Sequence, residues 1–186
     1  MTSEPPPTPA ADIPTPGQSP LLAYVDALLA TEAVETRPGL VKQRAFLELV
    51  VGESTYFLPL LDCREITRVP EIARVPESPE SVRGMVSVRG KILPVMDTRV
   101  CLGLSPAAPS NKSRLVLVEA QKRIVALLVD RITGIAKVDE TVIEQPRDPD
   151  PAYVAGYISH AGRSGPILST TGLFTDGNGP RVAREG

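Results

Sequence analysis

From Ala45 onward the chain is divided by turn residues into short apolar runs rich in β-branched side chains. The runs are Phe46–Val51, Tyr56–Leu61, Met85–Val88, Ile92–Met96, Leu115–Val118, Ile124–Val129, and Tyr157–Ile158 with Ile167–Leu168. This spacing predicts an all-β sandwich or barrel. Several runs are apolar at successive positions, which fits strands buried on both faces. Gly52-Glu53, Arg89-Gly90-Lys91, Ala120-Gln121 and Gly162 supply hairpin or turn tips. Pro94 lies inside Ile92–Met96 and cannot donate to a ladder, so an edge strand or a bulge is expected there. Short helical turns are expected at Leu61–Ile66, Thr98–Leu102 and Ser169–Phe174.

The chain before this body has a different character. Residues 1 to 20 form a Pro/Thr/Ser/Ala tract with almost no apolar bulk, expected to be disordered with polyproline II character. It reads either as a flexible tether or as a ligand for a proline-binding partner. Leu21, Leu22, Val25, Leu28 and Leu29 then recur at helical intervals, predicting a short amphipathic helix at about 20–35 with Ser19 as cap. A helix this short is marginal alone, so its stripe must dock on the body or on a partner. The expected organisation is residues 1–44 as tail and helix, 45–176 as the folded domain and 177–186 as a frayed tail.

Composition excludes several classes of function. The net charge of −2 and an aromatic content of 4% argue against a nucleic-acid binder. No apolar run reaches the length of a membrane span, and residues 1 to 20 lack the pattern of a secretory leader. Cys63 and Cys101 have no metal-ligand spacing and are expected to be reduced thiols packed as small hydrophobes, in a cytoplasmic protein. His160 is the only histidine, in a Ser-His-Ala-Gly-Arg turn, and no phosphate-binding glycine loop is present. Asp97 and Asp130 each end an apolar run without a second acid or histidine beside them. No catalytic, cofactor-binding or metal-binding residue is therefore expected, and the chain is not read as an enzyme.

Residues 82 to 99, V-R-G-M-V-S-V-R-G-K-I-L-P-V-M-D-T-R, read as a strand, a turn at Arg89-Gly90 and a returning strand. Arg89 on such a turn is either a solvated side chain or a rigidly held fork-shaped donor for a carboxylate on another protein. Periodicity does not decide between the two.

Ser87-Val88-Arg89-Gly90-Lys91-Ile92-Leu93-Pro94-Val95-Met96-Asp97-Thr98-Arg99 strongly resembles the N-L-R-G-x-I-x-P-V-x-D-L-R motif of CheW-like domains. Phe46 to Ile66 resembles that family's opening strands and its Val-x-Glu-Ile element, with Cys63 where valine is common and Glu65-Ile66 intact. Arg74-Val75-Pro76 through Gly84 resembles the V-P-x-x-P-x-x-x-x-G loop, Val125 to Asp130 the V-G-L-x-V-D strand, and Ala155-Gly156 a late strand start. Three departures stand out. Ser169 replaces the aspartate of I-L-D-L, Thr98 replaces a leucine and Ser87 an asparagine. The resemblance covers about residues 45 to 175 and implies two intertwined five-stranded SH3-like barrels with short helical turns.

The function it implies is a non-catalytic adaptor. Such proteins couple chemoreceptors to a CheA-type histidine kinase in a chemosensory array, binding the kinase regulatory domain and the cytoplasmic tip of methyl-accepting receptors. By motif position Cys63, Glu65, Ile66, Val88, Arg89 and Gly90 are the interaction candidates, while Asp97 and Arg99 serve equally well as internal braces. The alternative is a localisation or assembly factor whose N-terminal tail recruits a polar or filament partner to the array. No nucleic acid, membrane insertion or cofactor enters either reading.

Overall fold

The computed structural model describes residues 42–120, 122–148, 150–160 and 162–175. The proline-rich tract, the helix expected at 20–35 and the 177–186 tail lie outside the described residues. The chain opens with the hairpin β1 (Gln43–Val51) and β2 (Ser54–Pro59), followed by a 3-10 turn (Leu60–Asp62) and β3 (Cys63–Arg68). A second hairpin, β4 (Val82–Val88) and β5 (Lys91–Asp97), runs into the one-turn helix α1 (Thr98–Cys101). The same series then recurs. The hairpin β6 (Arg114–Ala120) and β7 (Arg123–Val129) leads to β8 (Arg131–Asp139), a 3-10 turn (Glu140–Val142) and β9 (Ile143–Glu144). The hairpin β10 (Val154–His160) and β11 (Arg163–Leu168) closes it, with α2 (Thr170–Thr175).

The strands form two sheets, one of order β8-β1-β2-β11-β10-β9 and one of order β3-β6-β7-β5-β4. In the first, the outermost strands β8 and β9 are consecutive in the chain, separated only by the 3-10 turn, so five chain segments return on themselves. In the second, the chain leaving β3 meets β4 through Ala73, which exchanges both backbone hydrogen bonds with Met85 at 2.9 and 2.8 Å. Each sheet thus closes as a five-segment barrel. Each barrel takes its opening hairpin from one half of the chain and its closing hairpin from the other, which interlocks the halves.

The closing hairpins are copies of one another at a spacing of 72 residues. Val82, Gly84, Ser87, Gly90, Pro94 and Thr98 recur as Val154, Gly156, Ser159, Gly162, Pro166 and Thr170. The registers agree as well: Met85 faces Pro94 as Tyr157 faces Pro166, each beside a bulge at the preceding glycine. Val82 N donates to Pro79 O as Val154 N donates to Pro151 O, both at 2.8 Å. Ser169, in place of the family aspartate, still caps its helix, its Oγ accepting from Gly172 N at 3.0 Å.

Burial on both faces is borne out in β1, where Phe46 through Val51 are all buried. Phe46, Phe57, Val138, Ile158 and Ile167 fill one barrel. Val86, Leu93, Val95, Leu115, Leu117 and Leu128 belong to the cluster that fills the other. Two local expectations are corrected. Helix at Leu61–Ile66 is confined to Leu60–Asp62, because Cys63–Arg68 pairs with β6 as a strand. Pro94 is not on an edge strand: β5 lies between β7 and β4, and the bulge sits in β4. Its missing N–H costs no ladder bond. Met85 opposite spends both backbone groups on Ala73, and the parallel pairing with β7 begins only at Val95. Among the described residues no helix is long and apolar enough to cross a membrane.

Candidate functional site

The β4–β5 turn places Arg89 and Gly90 at the tip of a hairpin, both at positive φ, +48° and +77°. Two successive left-handed residues give the tight turn whose twist matches the flanking strands. Glycine adopts that conformation freely, whereas Arg89 pays about 1 kcal/mol for it. Across the barrel, β3 carries a bulge between Cys63 and Glu65 that re-aims the Glu65 side chain. The two meet: Arg89 Nε donates to Glu65 Oε1 at 3.0 Å, 24 residues apart in sequence. The pair links β3 to β4, the two outer strands of their sheet. Arg89 remains 75% exposed, and neither of its Nη nitrogens bonds a described residue.

Of the six residues singled out by motif, Glu65, Arg89 and Gly90 thus gather at one surface point. The other three do not share one face: Val88 packs into the barrel cluster with Leu115 and Leu117, whereas Cys63 and Ile66 lie opposite Val118 and Val116 on the other side of the sheet. Cys63, Ile66 and Val88 are buried, Ile66 facing Val116 across the β3–β6 ladder. Burial pushes the thiols of Cys63 and Cys101 up to about 12, so both are neutral at neutral pH and neither is a nucleophile. Sequence reasoning missed Ile92, which is 71% exposed, and Leu61, which is 70% exposed. Ile92 faces Ser87 beside the Arg89 turn, and Leu61 lies in the turn that feeds β3. For Ile92 a signal existed: Leu93 and Val95 alternate inward, which turns Ile92 outward.

Asp97 and Arg99 are braces. Asp97 is buried, caps α1 by accepting from Arg99 N at 3.1 Å and pairs with Arg83 at 3.2 Å. Arg99 clasps Asp130 through Nε and Nη2 at 2.8–3.0 Å, and Asp130 also accepts from Gly52 N at 2.7 Å. Asp130 stands where the chain leaves one barrel for the other, so this knot fixes the crossing. Thr98, in the family's leucine slot, is fully buried with no hydrogen-bond partner for its Oγ1 among the described residues. Thr98→Val keeps the shape and removes the unpaired hydroxyl, and should raise unfolding stability by about 1 kcal/mol. A variant no more stable than the parent in urea titration would show that the hydroxyl is satisfied in solution.

The sequence profile of the CheW-like domain matches residues 45–178. A probable chemotaxis protein CheW of Rhizobium etli is 27% identical over 101 residues, 54% of this chain and 65% of that protein. The chemotaxis protein CheW of Helicobacter pylori is 28% identical over 105 residues, 53% of this chain and 60% of that protein. The chain therefore covers slightly less than two thirds of either relative's length. The crystal structure of the scaffolding protein TtCheW from Thermoanaerobacter tengcongensis superposes with a TM-score of 0.69 at 28% identity. That match covers 74% of this chain and 96% of the other. With the profile spanning well over half of its length, the interlocked barrels in place and the Glu65–Arg89 pair at the motif positions, this chain belongs to the CheW-like domain family.

Proposed function

We propose that this protein is a non-catalytic adaptor that couples chemoreceptors to a CheA-type histidine kinase within a chemosensory array on the cytoplasmic side of the membrane. The observation that carries the reading is the Arg89–Glu65 pair on the rigid hairpin tip. An exposed ion pair contributes only about 0–1 kcal/mol to stability, so its value lies in holding the guanidinium in one orientation. The exposed Ile92 beside it supplies an apolar anchor, and the combination suits a helical receptor tip offering aliphatic side chains and a carboxylate. The regulatory domain of the kinase is the second partner of the same reading.

Reconstitution of the full chain with the kinase and a receptor-tip fragment tests it. Arg89→Ala should keep the parent circular dichroism spectrum and melting temperature, since Gly90 still carries the turn and no buried side chain is changed. Receptor-dependent kinase activation should fall by about tenfold, the scale of losing one anchoring residue. A folded variant with full coupling would remove the proposed role of the pair.

A further inference from the structure

The two copies of the closing hairpin provide an internal comparison, because the segment entering each hairpin is packed differently. In the second copy it is tied together by side chains. Tyr157 donates to Asp150 at 2.9 Å, and Arg147 N donates to the other oxygen of Asp150 at 2.5 Å. The Arg147 guanidinium lies over the Tyr157 ring at 6.0 Å and pairs with Glu144 at 3.0 Å. In the first copy, Met85 stands at the position of Tyr157 and Ser78 at that of Asp150. No such network forms, and two adjoining clefts of about 360 and 550 Å³ lie there, sharing Arg74 and Arg83 in their walls.

The larger cleft is of mixed polarity, six aliphatic or proline side chains beside Ser78, Glu80 and two arginines, of which one is not already spent. Val75 and Leu104, 42% and 39% exposed, are two of the four exposed large aliphatics among the described residues, and both line it with Val100 and Pro106. Arg83 is already committed to Asp97 and to Ala107 O, at 3.2 and 3.1 Å. Arg74 is exposed and makes no hydrogen bond or ion pair with a described residue. The loop wall is stiff. Ala73 is bridged to Met85, Ser78 Oγ donates to Val75 O at 2.9 Å, and Glu77 is held at φ +58°. A preformed groove spends little ordering entropy when it is filled.

We propose that this groove docks an extended peptide segment of a partner protein in which one carboxylate is flanked by aliphatic residues. The carboxylate pairs with Arg74, and the aliphatic neighbours cover Val75 and Leu104. Glu80 in the same wall repels further acids, which restricts the ligand to one. The groove lies at the base of β4 and Arg89 at its tip, six residues or about 20 Å away along the strand. The proposal is therefore independent of the receptor-facing reading.

The test is an amide-shift titration of the full ¹⁵N-labelled chain with the blocked peptide acetyl-Ala-Val-Asp-Leu-Ala-amide and its asparagine counterpart. Saturable shifts confined to residues 72–78 and 103–107 are expected, with the asparagine peptide binding about fivefold more weakly. Arg74→Gln should erase that preference while leaving the rest of the spectrum unchanged. Absence of saturable shifts up to millimolar peptide, shifts centred elsewhere, or an aspartate preference that survives Arg74→Gln would each overturn the proposal.

Discussion

Replacing Gly84 with alanine should destabilise the protein by about 3 kcal/mol, the sum of one strained residue and two lost backbone hydrogen bonds. The backbone at Gly84 has φ +146°, and a Cβ built there would sit 2.3 Å from the carbonyl oxygen of Ala73 and 2.8 Å from Cγ2 of Ile72. Backbone cannot yield as a flexible side chain can. Ala73 must retreat, and its reciprocal bonds to Met85, which close the barrel, are then lost. Gly90→Ala is the matched control. Its φ of +77° is also left-handed, yet nothing lies within 4 Å of the added atom, so only the conformational cost of about 1 kcal/mol remains. Urea unfolding of the two variants measures the difference. Equal losses would mean that conformation, and not the close approach of the 69–73 segment, is what selects glycine at position 84.

The contrast between these glycines shows what the amino-acid pattern carries and what it leaves out. A positive-φ turn such as Arg89-Gly90 is local, and it is legible from the two residues and their apolar flanks. The constraint on Gly84 is imposed by a chain segment that local pattern does not reveal. The same distinction separates the strands. β1, β6 and β7 announce themselves as dense aliphatic runs because both of their faces are covered. β8, with Gly134 and Ala136 in a half-exposed strand at the margin of its sheet, has too little apolar bulk to register. β3 reads as a helical turn because Leu60 and Leu61 precede it, and only its ladder with β6 makes it a strand.

The site divides in the same way. Glu65 and Arg89 are identifiable one by one from their motifs. Their contact requires the barrel to close, so no spacing along the chain predicts the 3.0 Å bond between them. The repeat of the closing hairpin is readable in principle. It rests on a few identical positions, glycines and a proline among them, separated by side chains that differ because each barrel fills its own core. Its physical content lies in the shared register and bulge, which strand pairing creates and residue identity alone does not encode.

Phe57→Ala should cost more than any other single change considered, about 3–5 kcal/mol, the range for emptying a fully buried aromatic site. The ring is wholly inaccessible and packs in one cluster with Phe46, Val138, Ile158 and Ile167. Gly165 lets β11 approach β2 beside it, since a Cβ there would lie 2.2 Å from the carbonyl oxygen of Thr55. Its consequence goes beyond a cavity. Phe57 belongs to the opening hairpin of the first half, and Ile167, its partner in the parallel ladder, belongs to the closing hairpin of the second. The pair is therefore a seam between halves that exchange hairpins, and neither barrel can open without loosening the other. The loss should appear in urea as a single transition moved to lower concentration with an unchanged slope. Two separate transitions would show that the barrels unfold independently. At the equivalent point of the other barrel Ala126 faces Val95, so that seam is filled by smaller side chains and presents no comparable ring to remove.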